Sequence, residues 1–335
     1  MRTPLPHLRH SAAAIRVGVL GWLGVFSCAL LLLGCSRQAE PQRPAGYVTA
    51  PQVSLRDRLA AVHNKVAVLE NGQRVEILET RSRMVRVRTA RGQEGWMEAR
   101  HLASEAVFRA FRQLAAGNVS APIAAHGSAR APLNMHVAPG RKTDRLYRMN
   151  EGEKIEILRR ATAERTLPQA AAEQPPVLED WWLVRDTRGH VGWVLGRMMD
   201  LDVPLEVAQY AEGQRIVASF VISHAEDEGR QVPQYLLLLT GPRDGLPFDF
   251  NQVRIFTWNA GRDRYETAYR ERRLFGRLPA RVTREKFEKE GELPVFILRV
   301  QQPDESWEER KYKMNGVIVR RVLPAGAEAP PRKPR

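Results

Sequence analysis

Cysteine is nearly missing. The 335-residue chain contains two, Cys28 and Cys35, and none beyond. The body of the chain therefore has no thiol pair to cross-link. It also has no thiolate nucleophile, which excludes peptidase or transpeptidase chemistry of that kind. His-Glu-x-x-His, Gly-x-Ser-x-Gly and phosphate-loop motifs are absent. His224 is the single histidine after residue 200, so the C-terminal third cannot supply the clustered ligands of a catalytic zinc site. His63, His101, His126, His136 and His190 are scattered and read as surface or turn residues. Glu226-Asp227-Glu228 beside His224, followed by Gly229-Arg230, reads as a solvated hairpin loop. No metal site and no cofactor is expected. Aromatic residues make up only 7% of the chain, and no aromatic-rich cleft signature supports a glycosidase, whose two carboxylates a sequence cannot place in space.

One long apolar run is present, and it is N-terminal. Arg2, Arg9 and Arg16 give a basic start without acids, and residues 17–33 are apolar or small. Seventeen residues suit a signal-peptide core better than a spanning helix. The run ends in Leu32-Leu33-Gly34-Cys35, which resembles the lipobox of bacterial lipoproteins. That resemblance implies cleavage after Gly34, diacylglycerol on the Cys35 thiol and acylation of the new N-terminus. Two or three acyl chains hold a protein on a membrane lastingly, whereas one does so only marginally. Ser36 is not the Asp that keeps enterobacterial lipoproteins at the inner membrane. The implied address is the outer membrane, facing the periplasm, if the organism is Gram-negative.

Acids are outnumbered, 38 against 52 lysines and arginines, for a formal charge of +14. Removing residues 1–34 takes away three arginines and no acid, leaving +11. Nucleic acid is not expected as a partner in the envelope. Anionic headgroups, lipopolysaccharide phosphates or peptidoglycan carboxylates are the counter-surfaces such a charge suits. A basic surface from an arginine-rich proteome explains the excess equally well.

After a polar, Pro-containing tether (residues 35–46) the chain repeats itself. Asn71-Gly72-Gln73-Arg74-Val75-Glu76-Ile77-Leu78 matches Glu151-Gly152-Glu153-Lys154-Ile155-Glu156-Ile157-Leu158 at an offset of 80. Ser54-Leu55-Arg56 falls on Asn134-Met135-His136 at the same offset. Val87-Arg88, Arg91-Gly92 and Gly95-Trp96 match Val184-Arg185, Arg188-Gly189 and Gly192-Trp193 at an offset of 97. The difference, 17 residues, marks an insertion in the second copy within about residues 159–179, whose Pro and Ala content suits a loop. Short alternating strands between glycine turns predict a small barrel for each copy.

Both copies resemble bacterial SH3 (SH3b) domains in the Leu55-Arg56 and Met135-His136 region, the strand after the Gly turn, and the late Gly-Trp pair. The resemblance covers residues 47–102 and 131–200. Ser54 and Met135-His136 depart from the usual Asn-Leu-Arg, which puts any binding groove in question more than the barrel. Between the copies (103–130), Ser104 is positioned to cap a helix over 105–114, with Val107, Phe111 and Leu114 on one face. Residues 115–130 read as linker, and 204–210 as a second short helix.

Residues 211–323 read as a third, antiparallel β domain, a sandwich or an open barrel. Its candidate strands are 215–223, 235–240, 252–258, 265–270, 295–301, 307–314 and 317–323, with hairpin signals at Asn259-Ala260-Gly261 and Asn315-Gly316. A short helix is expected over 283–290. Residues 324–335 read as a disordered basic tail. The whole is thus expected to be mainly all-β: two small SH3-like barrels followed by an antiparallel sheet.

The candidate binding residues are Trp96 and its equivalent Trp193, and the neighbours Trp181 and Trp182. Exposed tryptophan stacks on sugars or peptide, whereas a recurring Gly-Trp also suits a barrel core. On a strand one of Trp181 and Trp182 points inward and the other outward. The functional expectation is a lipid-anchored, non-enzymatic binding or scaffold module contacting peptidoglycan or an envelope protein. The alternative is a cell-wall hydrolase or its regulator.

Overall fold

The computed structural model describes residues 43–165 and 176–323. The leader, Cys35 and the expected tail at 324–335 lie outside the described residues. Three antiparallel sheets of seven strands follow one another along the chain, so the all-β class expected from the sequence is what is found.

The first sheet comprises β1 (Ala45–Val48), β2 (Gln52–Arg56), β3 (Lys65–Glu70), β4 (Arg74–Arg81), β5 (Met84–Arg88), β6 (Glu94–Glu98) and β7 (Leu102–Ser104), in the order β3-β2-β6-β5-β4-β1-β7. Val48, Leu55, Leu69, Val75, Val87 and Met97, from six of these strands, meet in its own core. The second sheet comprises β8 (Ala125–Ala129), β9 (Leu133–His136), β10 (Arg145–Met149), β11 (Lys154–Glu164), β12 (Leu178–Asp186), β13 (Val191–Leu195) and β14 (Met199–Leu201). Its order is that of the first with seven added to every label. The sequence repeat is therefore a structural one, down to the register. Glu76 faces Arg88 as Glu156 faces Arg185, and Arg56 pairs Trp96 as His136 pairs Trp193.

The Gly of Gly-Trp is explained by this register. A Cβ on Gly95 would lie 2.9 Å from the Leu55 Cβ and 3.0 Å from the Arg56 carbonyl oxygen. One on Gly192 would lie 2.8 Å from the Met135 Cβ. The strands cross too closely there for any side chain.

Two boundaries are corrected. The linker expected over 115–130 contains β8, which pairs with β11 and β14. Its Ala-Gly-Ser composition reflects close strand approach: a Cβ on Gly127 would lie 2.5 Å from the Asp200 carbonyl oxygen. The loop expected over 159–179 is narrower, because β11 runs on to Glu164 and β12 begins at Leu178, with Glu164 paired to Leu178. The helix α1 (Glu105–Ala116) is capped as expected, Ser104 Oγ accepting from the Val107 N–H. It buries Phe111, and its Phe108 stacks on Tyr47 with ring centroids 4.0 Å apart.

The third sheet is a meander of β15 (Arg215–Asp227), β16 (Arg230–Thr240), β17 (Phe250–Asn259), β18 (Arg264–Phe287), β19 (Gly291–Gln301), β20 (Trp307–Asn315) and β21 (Ile318–Val322), paired in chain order. The helix expected over 283–290 is not formed, since β18 continues to Phe287. Thr283 pairs with Val295 and Phe287 with Gly291. Arg284 bonds Glu292, and Lys311 bonds Glu285. Cross-strand pairing thus overrides the helix propensity of Arg-Glu-Lys. Leu236 and Leu238 of β16 enter the main core, while Tyr235, Leu237 and Leu239 pack on the opposite face with Val207 of the short helix α2 (Leu205–Ala208). Burial on both faces accounts for the unbroken apolar run of that strand.

The sheets are joined by more than chain connections. One core cluster runs from Tyr47 and Phe111 through Met135, Trp182 and Val184 to Leu236, Phe296 and Tyr312. Asn71 of the first sheet donates to the Leu146 carbonyl and accepts from the Arg148 N–H of the second.

Candidate functional site

All four candidate tryptophans are buried: Trp96 and Trp193 pack as the recurring Gly-Trp of a barrel core suits, and the outward ring expected for one of Trp181 and Trp182 is corrected. Trp96 and Trp193 are each 7% exposed, and Trp181 and Trp182 are 2% and 5% exposed. Strand alternation does place Trp181 and Trp182 on opposite faces of β12, but both faces are covered. Trp182 lies in the main core. Trp181 lies in a second cluster with Leu158, Leu183, Val191 and Trp193, packed by Leu114 and Ala115 of α1 and by Ala121. Guanidinium groups close the edges that remain. Arg81 lies 5.4 Å from the Trp96 ring centroid and Arg159 5.5 Å from that of Trp193. Sequence alternation gives a side chain's face but not what covers it. Cys35, the candidate lipidation site, lies outside the described residues.

One histidine and one carboxylate meet in a turn. Asp186, fully buried at its side chain, accepts from the backbone N–H groups of Arg188 and His190 and from the His190 ring at 2.9 Å. Burial raises the Asp186 carboxyl, but the His190 bonds and the Arg188 charge outweigh it and hold it below its ordinary value. Tyr147 stacks on the His190 ring at 3.7 Å. The arrangement locks the β12–β13 turn. Among the described residues no three or more His, Cys, Asp or Glu side chains converge as a metal site. The Glu226–Gly229 segment is the β15–β16 hairpin, with Glu228 and Gly229 both at positive φ. Asp227 is more tied down than a solvated loop implies, accepting from Trp258 Nε1 at 2.9 Å and from Arg230.

The strongest constellation is one that sequence reading did not find. Arg160 on β11 reaches out of the second sheet with its side chain only 2% exposed. Its Nη1 donates to Asp180 at 2.6 Å, its Nε to Asp249 at 2.9 Å, and its Nη2 to the Leu246 and Phe248 carbonyls at 2.6 Å each. Asp180 also accepts from Arg215 and the Gly245 N–H, and Asp249 from Arg277 and the Leu278 N–H. Every charge in this cluster is paired and hydrogen-bonded, as burial demands. Its members are spread over residues 160–278, so no local motif announces it.

Above this cluster opens a cleft of about 790 Å³ between the second sheet and the first strand of the third. Arg130, Arg165, Arg197, Arg215 and Arg243 line it. Three carboxylates lie among them, and each is already engaged. Glu179 is held by Arg141 through two bonds of 2.7 Å, which keep its carboxyl below the ordinary range. Asp200 is held by Arg130, and Asp244 by Arg215. The rest of the wall is apolar, with Leu178, Trp182, Met199, Leu201 and Val217. The arrangement sets an arginine-rich rim against an apolar wall, a combination suited to holding anionic groups.

No family model matches the chain, and no curated protein matches it. Solved structures that it resembles include an NlpC/P60 family protein from Bacillus cereus, at 10% identity and a TM-score of 0.23, covering 79% of this chain and 93% of that one. NlpC2 and NlpC1 from Trichomonas vaginalis, also at 10% identity, give TM-scores of 0.17 and 0.18, covering 69% and 81% of this chain and 98% and 92% of theirs. At such scores the likeness carries no argument.

Proposed function

We propose that this chain is a lipid-anchored envelope protein acting as a non-enzymatic binding scaffold, held at the membrane through Cys35. Its two repeats, read as SH3b domains, and its third sheet present one body to peptidoglycan or to an envelope protein. The observation that carries this reading is the buried Arg160–Asp180–Asp249 cluster, which locks the second repeat to the third sheet. Interfaces between the domains of one chain are ordinarily more open and mobile. A fixed relation between modules serves a protein that displays surfaces. In a Gram-negative organism the lipoprotein resemblance, with Ser36 after the lipidated cysteine, implies an outer-membrane address facing the periplasm.

The anchor is tested by labelling cells with a fatty-acid analogue. Cys35→Ser is expected to abolish labelling and release the protein from membranes; continued labelling would refute the anchor. The wall-binding form is tested by co-sedimenting residues 36–335 with insoluble peptidoglycan. Sedimentation no better than an albumin control would remove peptidoglycan as the ligand, and a pull-down from envelope extracts then seeks the protein partner. The rival reading, a cell-wall hydrolase or its regulator, predicts soluble muropeptides from the same incubation or from adding the chain to a hydrolase.

A further inference from the structure

The cleft between the second and third sheets is bordered by two strand edges. β14 is the last strand of its sheet and β15 the first of the next. Both contribute to the cleft wall, through Met199–Leu201 and through Arg215, Ile216 and Val217. Edge strands present backbone donors and acceptors that a further extended chain pairs with. Within the cleft β15 is also irregular: Ile216 pairs with Leu239 and Ala218 with Leu238, so Val217 falls outside the ladder with β16. Ser219 Oγ donates to the Asp202 carbonyl, tying the two edges together beside the cleft.

Charge decides what such an edge accepts. Five arginines and three carboxylates line the cleft, and a sixth arginine, Arg141, shares Glu179. The surplus is positive in a site with apolar walls, where low-dielectric surroundings strengthen attraction to anions. Arg243 is exposed, and among the described residues no carboxylate engages it. Arg197 is half-exposed, with Glu179 3.5 Å away. Guanidinium forks suit carboxylates in paired geometry. The apolar wall of Leu178 and Leu201 favours an occupant with side chains larger than the methyl groups of a wall stem peptide.

We propose that this cleft is the docking site for an extended acidic segment of a partner protein, one that alternates carboxylates with apolar side chains. Its carboxylates meet Arg197 and Arg243, its apolar side chains lie against Leu178 and Leu201, and its backbone runs along a strand edge. The proposal rests on the binding-scaffold reading and gives that scaffold's partner its chemistry.

The test is fluorescence anisotropy with purified residues 36–335 and a short labelled peptide alternating Glu with Leu or Val. The Glu peptide is expected to bind at least about tenfold more tightly than the same peptide with Gln, and less tightly as salt shortens the Debye length below about 10 Å. Reversing Arg197 and Arg243 together to Glu turns two attractions into two repulsions of similar size, a loss of about tenfold or more. Arg281→Glu, a reversal on the exposed face of the third sheet, is expected to leave binding unchanged. A melting curve of each variant checks the fold. Equal binding of the Glu and Gln peptides, equal losses from Arg281→Glu and the cleft variant, or no binding at low salt would overturn the proposal. So would displacement of the peptide by muropeptides at lower concentration than by unlabelled peptide, which would give the cleft to the wall. Sedimentation and pull-down stand apart from this readout, so the scaffold reading survives failure of the cleft and the reverse.

Discussion

Replacing Arg160 by Met keeps most of the stem and removes the charge at the centre of the buried cluster. Asp180 and Asp249 then face each other across the junction with their side chains 0% and 5% exposed. Arg215 and Arg277 still touch them, but from the rim, with side chains 32% and 36% exposed. The Leu246 and Phe248 carbonyls lose their donor as well. Breaking a buried pair from one side costs about 3–5 kcal/mol, and each carbonyl left unsatisfied costs about 1–3 kcal/mol more unless water reaches it. Water will reach some of this site, because the cleft opens above it, so the pair-breaking cost alone, about 4 kcal/mol, is the working value. At about 2–4 °C per kcal/mol, that is a fall in Tm of roughly 8–16 °C. The loss concerns a junction between sheets, so the unfolding transition should also split. A thermal melt reads the first effect, and urea titration followed by tryptophan fluorescence and by far-ultraviolet circular dichroism reads the second. The triple variant Arg160→Met, Asp180→Asn, Asp249→Asn removes the stranded charges and should recover part of the loss. An Arg160→Met protein within about 1 kcal/mol of the parent, the level of an exposed pair, and with a single transition would refute the claim that this cluster couples the sheets.

Gly95→Ala and Gly192→Ala should each destabilise by about 1–3 kcal/mol, read as a shift in urea midpoint, because the new methyl meets a Cβ and a backbone oxygen that cannot withdraw. His136 is buried, and burial, with the Arg145 charge adding and the Thr143 carbonyl opposing, pushes its pKa below the ordinary 6.5. The unfolded chain therefore takes the proton first. Its contribution to stability is full above about pH 6.5 and declines as pH falls towards the folded value; His136→Gln should flatten that limb of a stability-against-pH curve. Asp186 is held low in the folded state, so its contribution is present above the ordinary carboxylate range and lost as pH falls through the lowered value. Asp186→Asn should remove that acid-side loss and reduce stability at neutral pH.

Much of the architecture was legible because it is written in local signals. The Gly turns, the Glu-aliphatic strands and the Gly-Trp pairs recur at fixed offsets, and the strand order of the two sheets repeats with them. The seven strands of the third sheet each carry their own alternation or turn. What failed was decided by distant neighbours. Residues 283–290 have helix-forming composition, yet the ladder with β19 holds them extended. Trp181 looked available because one face of a strand is ordinarily open, but α1 and Ala121 cover it. Arg160 looked like any surface arginine in a basic chain, since Asp180 and Asp249 are 20 and 89 residues away.

The differences between the two copies follow from what each one touches. Thr80 faces Val85 in the first sheet where Arg160 faces Trp182 in the second. The 97-residue offset likewise puts Arg83 where Asp180 stands. The second copy therefore carries, at these positions, the charged pair that docks the third sheet, and the first copy carries neither half. The first copy keeps a small core of its own and reaches the second through Asn71, whose counterpart at the 80-residue offset is Glu151. At the positions equivalent to Arg56 and Trp96 the pairing is retained, but His136 turns its ring on Trp181, 5.2 Å away, a partner that Met84 replaces in the first copy. At these positions the copies differ where the second copy or its neighbour makes a contact the other lacks. A repeat that had diverged for two ligands would differ at exposed rings, and its tryptophans here are buried in both copies. The docking itself creates the arginine-lined cleft between the second copy and β15, which neither repeat possesses alone.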